Sequence, residues 1–141
     1  MRLSVFIAAQ PSQQLIIDLQ KIYAGLLPSD SFTELAITEY IAEPSQRLFM
    51  TMFNERHIGA VKVSSKNNIA TLSALCIREI TRRRGIGKNL LTRIEKQFSS
   101  ENITRIEYHL SEVNADAMAA MKLFLSASGY QFQGDLAFKS F

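Results

Sequence analysis

The sequence predicts one mixed α/β domain, an α+β arrangement in which a mostly antiparallel sheet of six to seven strands is flanked by about four helices. Three observations predict it. Stretches of strand length, rich in apolar and β-branched residues, are separated by turn residues such as Asn54, Asn67-Asn68 and Gly134. Other stretches keep apolar residues at helical spacing. Between Leu75 and Leu91, the run LCIREITRRRGIGKNLL carries an apolar strand end through a glycine-containing turn straight into an amphipathic segment. The 141 residues suit one core, so residues 1–141 read as one domain.

Leu3 to Ala9 reads as the first strand. The opening MRLSVFIAAQ imitates a signal peptide, but its apolar part is brief and Gln10-Pro11 follows at once, which favours the strand. Pro11-Ser12 opens a helix in which Leu15, Leu19, Ile22 and Leu26 keep helical spacing, with Gly25 and Pro28 marking its end. Ser31-Phe32-Thr33-Glu34 is a capping-box pattern, predicting a second helix to about Ala42, before Pro44. Arg47 to Phe53, a turn at Asn54-Glu55-Arg56-His57, and Ile58 to Ser64 read as a hairpin, which leaves His57 exposed in the turn. Lys66-Asn67-Asn68 is a second turn, and Ile69 to Ile77 the next strand. Residues 86–98 form a helix with Ile86, Leu90, Ile94 and Phe98 on one face and Leu91 beside them. Thr104 to Leu110 is a strand. Ala115 to Ser128 is a helix stopped by Gly129, and Tyr130 to Gln133 and Ala137 to Ser140 make a closing pair around Gly134.

The segment at the centre of this order has the makings of an anion site. Gly85 and Gly87 let the backbone approach a ligand closely. Free N–H groups at a helix start, at the positive end of its dipole, attract negative charge. Arg82, Arg83, Arg84 and Lys88 add charge beside those amides, so a diphosphate fits better than other common ligands. The competing reading is a tight strand-to-helix turn with solvated arginines. Three adjacent arginines at a helix N-terminus oppose its dipole unless an anion is present, which weighs against it.

Composition narrows the function classes. A hydrophobic content of 47% excludes a disordered chain, and no apolar run reaches membrane-spanning length. The single cysteine excludes an internal disulfide and suits a cytoplasmic protein. The net charge of +3 is modest and concentrated at residues 82–84, which favours a local phosphate site over a nucleic-acid face. Neither a membrane nor a metal is expected as a partner. Thr81-Arg82-Arg83-Arg84 lacks the aromatic platform that nucleic-acid binding needs.

Arg82-x-x-Gly85-x-Gly87 resembles the Arg/Gln-x-x-Gly-x-Gly/Ala acyl-CoA loop of the GNAT N-acetyltransferase superfamily. The resemblance implies the GNAT fold, with acetyl-CoA or CoA as cofactor. It implies that Thr81, Arg82, Arg83, Arg84, Gly85, Ile86, Gly87 and Lys88 surround the pyrophosphate. The strand end Leu75, Cys76 and Ile77 would pair with the pantetheine arm. Many such enzymes place a tyrosine acid four residues before the glycine that ends the late helix; here that position is Leu125, which cannot donate a proton. Tyr130 matches an aromatic that relatives bury. Glu79 is either a base or an ion-pair partner of a neighbouring arginine, His109 is either catalytic or structural, and Cys76 reads as a core thiol. No residue is assigned a catalytic role.

A narrower resemblance fits that imbalance. Residues 78–87, REITRRRGIG, are similar to the loop of the PanZ (or PanM) family of GNAT-like factors. Asp18-Leu19-Gln20-Lys21-Ile22, Phe53-Asn54-Glu55-Arg56 and the helix end at residues 121–130 agree in order and spacing. That resemblance implies a protein that binds acetyl-CoA or CoA and then aspartate 1-decarboxylase, promoting self-cleavage of the proenzyme and restraining the mature enzyme. It implies a partner surface of Phe53, Asn54, Arg56, Arg83 and Arg84. Residues 26–48 depart from the family pattern and are longer. The alternative is an N-acetyltransferase acting on a small-molecule or protein amine, with Glu79, His109 or an ordered water as base.

Overall fold

A computed structural model describes residues 3–24, 27, 29–54, 56–78 and 85–141, without the side chain of Ser29. Its elements run β1 (Leu3–Ile7), α1 (Gln13–Ile22), α2 (Glu34–Ala42), β2 (Gln46–Phe53), β3 (Arg56–Lys66), β4 (Ile69–Ile77), α3 (Ile86–Ser99), β5 (Arg105–His109), α4 (Met118–Ala127), β6 (Gln131–Gln133) and β7 (Leu136–Ser140). Short 3-10 turns occupy Ser29–Phe32, Leu110–Glu112 and Ala115–Ala117. The seven strands form one sheet in the order β1-β2-β3-β4-β5-β7-β6. Every pairing is antiparallel except β4 with β5. The predicted α+β class, with its mostly antiparallel sheet and four flanking helices, is the architecture found.

Alternation along the central strands divides the core into two layers. Phe49, Val61 and Val63 face α3 and α4, where Leu90, Ile94, Phe98 and Leu125 close over them. Leu48, Met50 and Ala60 face α1 and α2, where Leu15, Leu19, Ile22 and Ile37 close the other side. Residues two apart on a strand share a face, so each strand feeds both layers. The turn between β3 and β4 is the two-residue type that matches sheet twist, with Asn67 and Asn68 both at positive φ.

Several boundaries differ from the sequence-based expectation. The first strand ends at Ile7, although the Ala8 N–H still donates to the Leu48 carbonyl at 2.9 Å. The second helix starts at Glu34, with Thr33 as its cap: the Thr33 hydroxyl accepts from the Ala36 N–H at 3.1 Å. The capping box read from Ser31 does not form, because Ser29–Phe32 coils as a 3-10 turn that stacks Phe32 on Tyr23, ring centroids 5.0 Å apart. Leu26, Gly25 and Pro28, read as the end of the first helix, lie outside the described residues. His57, expected in an exposed turn, is a buried residue of β3. Phe53 pairs directly with Arg56, so the turn closes before His57.

Candidate functional site

The sheet opens where β4 leaves β5. Their parallel pairing joins Ile69–Leu72 to Arg105–Tyr108 and goes no further along β4. The cause is a bulge: Ala60 pairs with Cys76 and Lys62 with Ser73, so Val61 alone opposes both Ala74 and Leu75. Ala74 takes φ 52°, a conformation that costs a non-glycine residue energy. Two buried tyrosines hold it. The Tyr23 hydroxyl donates to the Ala74 carbonyl at 2.6 Å, and the Tyr108 hydroxyl accepts from the Leu75 N–H at 3.0 Å. Burial pushes both phenols above their ordinary values, so both stay neutral.

The extra residue flips the alternation of β4. Ala70 and Leu72 face α3, and so do Leu75 and Ile77, while Ala74 and Cys76 face α1. The Cys76 thiol donates to the Ile22 carbonyl at 3.1 Å, which makes it a core group whose side chain points away from α3. Of the predicted residues Leu75, Cys76 and Ile77, Cys76 therefore has only its backbone to offer a ligand in the gap.

The start of α3 faces the same end of β4. Gly85 is its cap residue at φ 74°, ψ 12°, and among the described residues it has no side-chain cap, no acidic residue in the first turn, and nothing within 4 Å of where a Cβ would stand. The amides of Ile86, Gly87 and Lys88 belong to that first turn and have no helical acceptor. Gly87 is needed for closeness: a Cβ there would lie 3.1 Å from the Phe124 ring and 3.8 Å from Ile77 Cγ1, so it fixes α3 against β4 and α4. Lys88 is exposed. These features fit a group with a diphosphate and an extended amide-bearing arm: helix-start donors beside a Gly85 that no described residue crowds, and a strand end released from its neighbour. Asn89, on the turn above Gly85, keeps its Oδ1 buried without a partner among the described residues, an acceptor that sequence reading passed over. Thr81, Arg82, Arg83, Arg84 and Glu79 lie outside the described residues.

The hairpin surface is separate from this gap. Phe53 is half-buried at the end of β2, while Asn54, at φ 51°, and Arg56 are exposed. Beneath them Asp18 of α1 is fully buried. Its Oδ2 meets His57 Nδ1 at 2.7 Å and accepts from the His57 N–H at 3.2 Å, and Oδ1 accepts from the Gln14 side-chain amide at 2.8 Å. Burial pushes the Asp18 carboxyl up, and the hydrogen bonds from His57 and Gln14 outweigh it, leaving it below its ordinary value. The root of the hairpin is thus tied to α1.

The remaining candidates are placed plainly. Leu125 is fully buried under α3. Tyr130 is buried, its hydroxyl 3.5 Å from a Glu95 oxygen that burial and this neighbour make poor company for a phenolate, so its pKa rises. His109 is half exposed at the end of β5, 3.9 Å from Glu107. Among the described residues no cluster of three or more His, Cys, Asp or Glu could hold a metal, and no helix is long and apolar enough to cross a membrane.

The PanD regulatory factor of Salmonella typhimurium is 31% identical over 135 residues, covering 96% of each chain. The PanD regulatory factor of Escherichia coli is 28% identical over 133 residues, covering 94% of each. The solution NMR structure of E. coli YhhK bound to coenzyme A superposes with a TM-score of 0.81 at 28% identity, over the full length of both chains. Residues 2–137 match the model of the PanZ acetyltransferase (GNAT) domain, and the chain belongs to that family.

Proposed function

We propose that this chain is a CoA-dependent regulator: it binds acetyl-CoA or CoA in the gap between β4 and β5, and the liganded form binds aspartate 1-decarboxylase. The pyrophosphate accepts hydrogen bonds from the amides that open α3, with Lys88 and Arg82, Arg83 and Arg84 supplying charge and Thr81, Gly85, Ile86 and Gly87 shaping the turn. The arm of the cofactor runs along the backbone of Leu75, Cys76 and Ile77. The observation that carries this reading is the release of β4 from β5 at the end of β4 that packs against a glycine-started helix. The coenzyme A bound to YhhK and the regulatory names of the two relatives support it.

The decarboxylase surface is Phe53, Asn54 and Arg56, and the charges of Arg83 and Arg84 belong to it too. Leu125 brings no proton to a departing thiolate, so in this reading the acyl-CoA serves as a signal. A cytoplasmic setting suits both the buried, reduced Cys76 and a metabolic enzyme as partner. The test is to mix the protein with purified decarboxylase proenzyme and follow chain cleavage on denaturing gels, with and without acetyl-CoA. Cleavage is expected to accelerate only when protein and acetyl-CoA are both present. An unchanged cleavage rate would overturn the reading.

A further inference from the structure

Under α2, away from the gap and the hairpin, lies a cavity of about 190 Å³. Leu19, Phe32, Ile37 and Leu48 form apolar walls, and Ser31, Tyr40 and Lys62 are the polar part of the lining. No lining residue belongs to β4 or β5, so the cavity shares nothing with the proposed acyl-CoA site. Lys62 reaches it from β3, beside its cross-strand partner Leu48. Its ammonium sits 5.2 Å from the centroid of the Tyr40 ring. Tyr40 itself is fixed, its hydroxyl donating towards the carbonyls of Arg47 and Val63 at 3.2 and 3.4 Å.

Lys62 is half-buried, and among the described residues it has no carboxylate within ion-pair distance. A cation withdrawn from water without a counter-charge is costly, and an aromatic face offsets only part of that cost. Burial accordingly pulls the Lys62 ammonium below the ordinary lysine value, and a bound anion would reverse that pull. Lys62 is the one cation among the lining residues, which matches a ligand carrying a single negative charge. The pocket is open on one side, and its apolar walls leave room for a tail about the size of benzene, which an enclosed apolar cavity of about 150 Å³ holds.

We infer that this cavity binds a small monocarboxylic acid with a branched or aromatic tail, the tail among Leu19, Phe32, Ile37 and Leu48 and the carboxylate on Lys62 beside Tyr40. Such a ligand pairs the stranded charge and fills the apolar volume in one step.

The experiment titrates ¹⁵N-labelled protein with sodium phenylacetate, sodium 3-methylbutanoate and neutral phenylacetamide, with and without acetyl-CoA. Saturable amide shifts are expected at Phe32, Ile37, Tyr40 and Lys62 for the two acids, unchanged by acetyl-CoA. Phenylacetamide should bind about ten- to hundredfold more weakly than phenylacetate, and Lys62→Met, which keeps the aliphatic stem, should weaken phenylacetate by a similar factor. Three outcomes overturn the inference: no saturable shift up to about 10 mM acid, equal affinity for acid and amide, or shifts centred on residues 75–77 and 85–89. The comparison of acid with amide uses the wild-type protein, so it decides the matter whatever the folding of the variant.

Discussion

Asp18 keeps a charge where water does not reach, and two neighbours make that possible. The His57 ring and N–H and the Gln14 amide donate to its oxygens, so the ionised form is favoured in the folded chain. A carboxyl held below its ordinary value of 3.8 contributes stability that is complete above that value and lost as pH falls through the folded value. Urea unfolding followed from pH 7 to pH 3 should therefore show a loss below about pH 4 that Asp18→Asn removes. At neutral pH the same substitution should cost about 1–3 kcal/mol, the worth of hydrogen bonds to a charged group. Gly85 supplies a second residue-scale test, because its backbone is left-handed yet no described residue crowds it. Gly85→Asn tolerates that conformation and should keep acetyl-CoA affinity within about tenfold, whereas Gly85→Asp sets a like charge against the pyrophosphate and should abolish binding by calorimetry. Equal losses in both variants would show that strain, and not charge, is at issue.

At the scale of elements, the bulge of β4 shows what local pattern reveals and what it hides. Most strands were legible because each feeds two apolar layers and so alternates cleanly, as Leu48 and Phe49 do. The strand-to-helix turn at Gly85 was legible too, since glycine chemistry is local. Local pattern predicts plain strand across the bulge, although apolar residues at 72, 75 and 77 already carry the slip in phase. His57 is hidden for a different reason: its partner Asp18 lies 39 residues away on α1, beyond any local pattern. The bulge itself rests on Tyr23 and Tyr108. Tyr108→Phe leaves the Leu75 N–H without an acceptor and should destabilise the fold by about 1–3 kcal/mol. Tyr23→Phe acts on the adjoining Ala74 carbonyl, so the double variant should be non-additive, as groups in contact are. Both changes should weaken acetyl-CoA binding by letting β4 close on β5, which isothermal calorimetry reads directly.

At the scale of the whole molecule, two places must work together: the gap at β4 with the start of α3, and the hairpin between β2 and β3. They meet through the sheet, because Gly59 and Ala60 of the hairpin strand pair with Ile77 and Cys76 of the gap strand. In the proposed reading Arg82, Arg83 and Arg84 are the second link, since CoA phosphates would neutralise their charge. A ligand shifts a partner equilibrium only by its differential affinity for the two states. Acetyl-CoA should thus tighten the complex with aspartate 1-decarboxylase, and the partner should tighten acetyl-CoA by the same factor, typically about 5–150-fold. Asn54→Ala should weaken the complex while leaving the acetyl-CoA affinity of the isolated protein nearly unchanged. The most direct measurement is the dissociation constant of the complex by calorimetry or surface plasmon resonance, with and without saturating acetyl-CoA. The account predicts a tighter complex in the presence of acetyl-CoA by at least about fivefold, and equal constants in both conditions would contradict it.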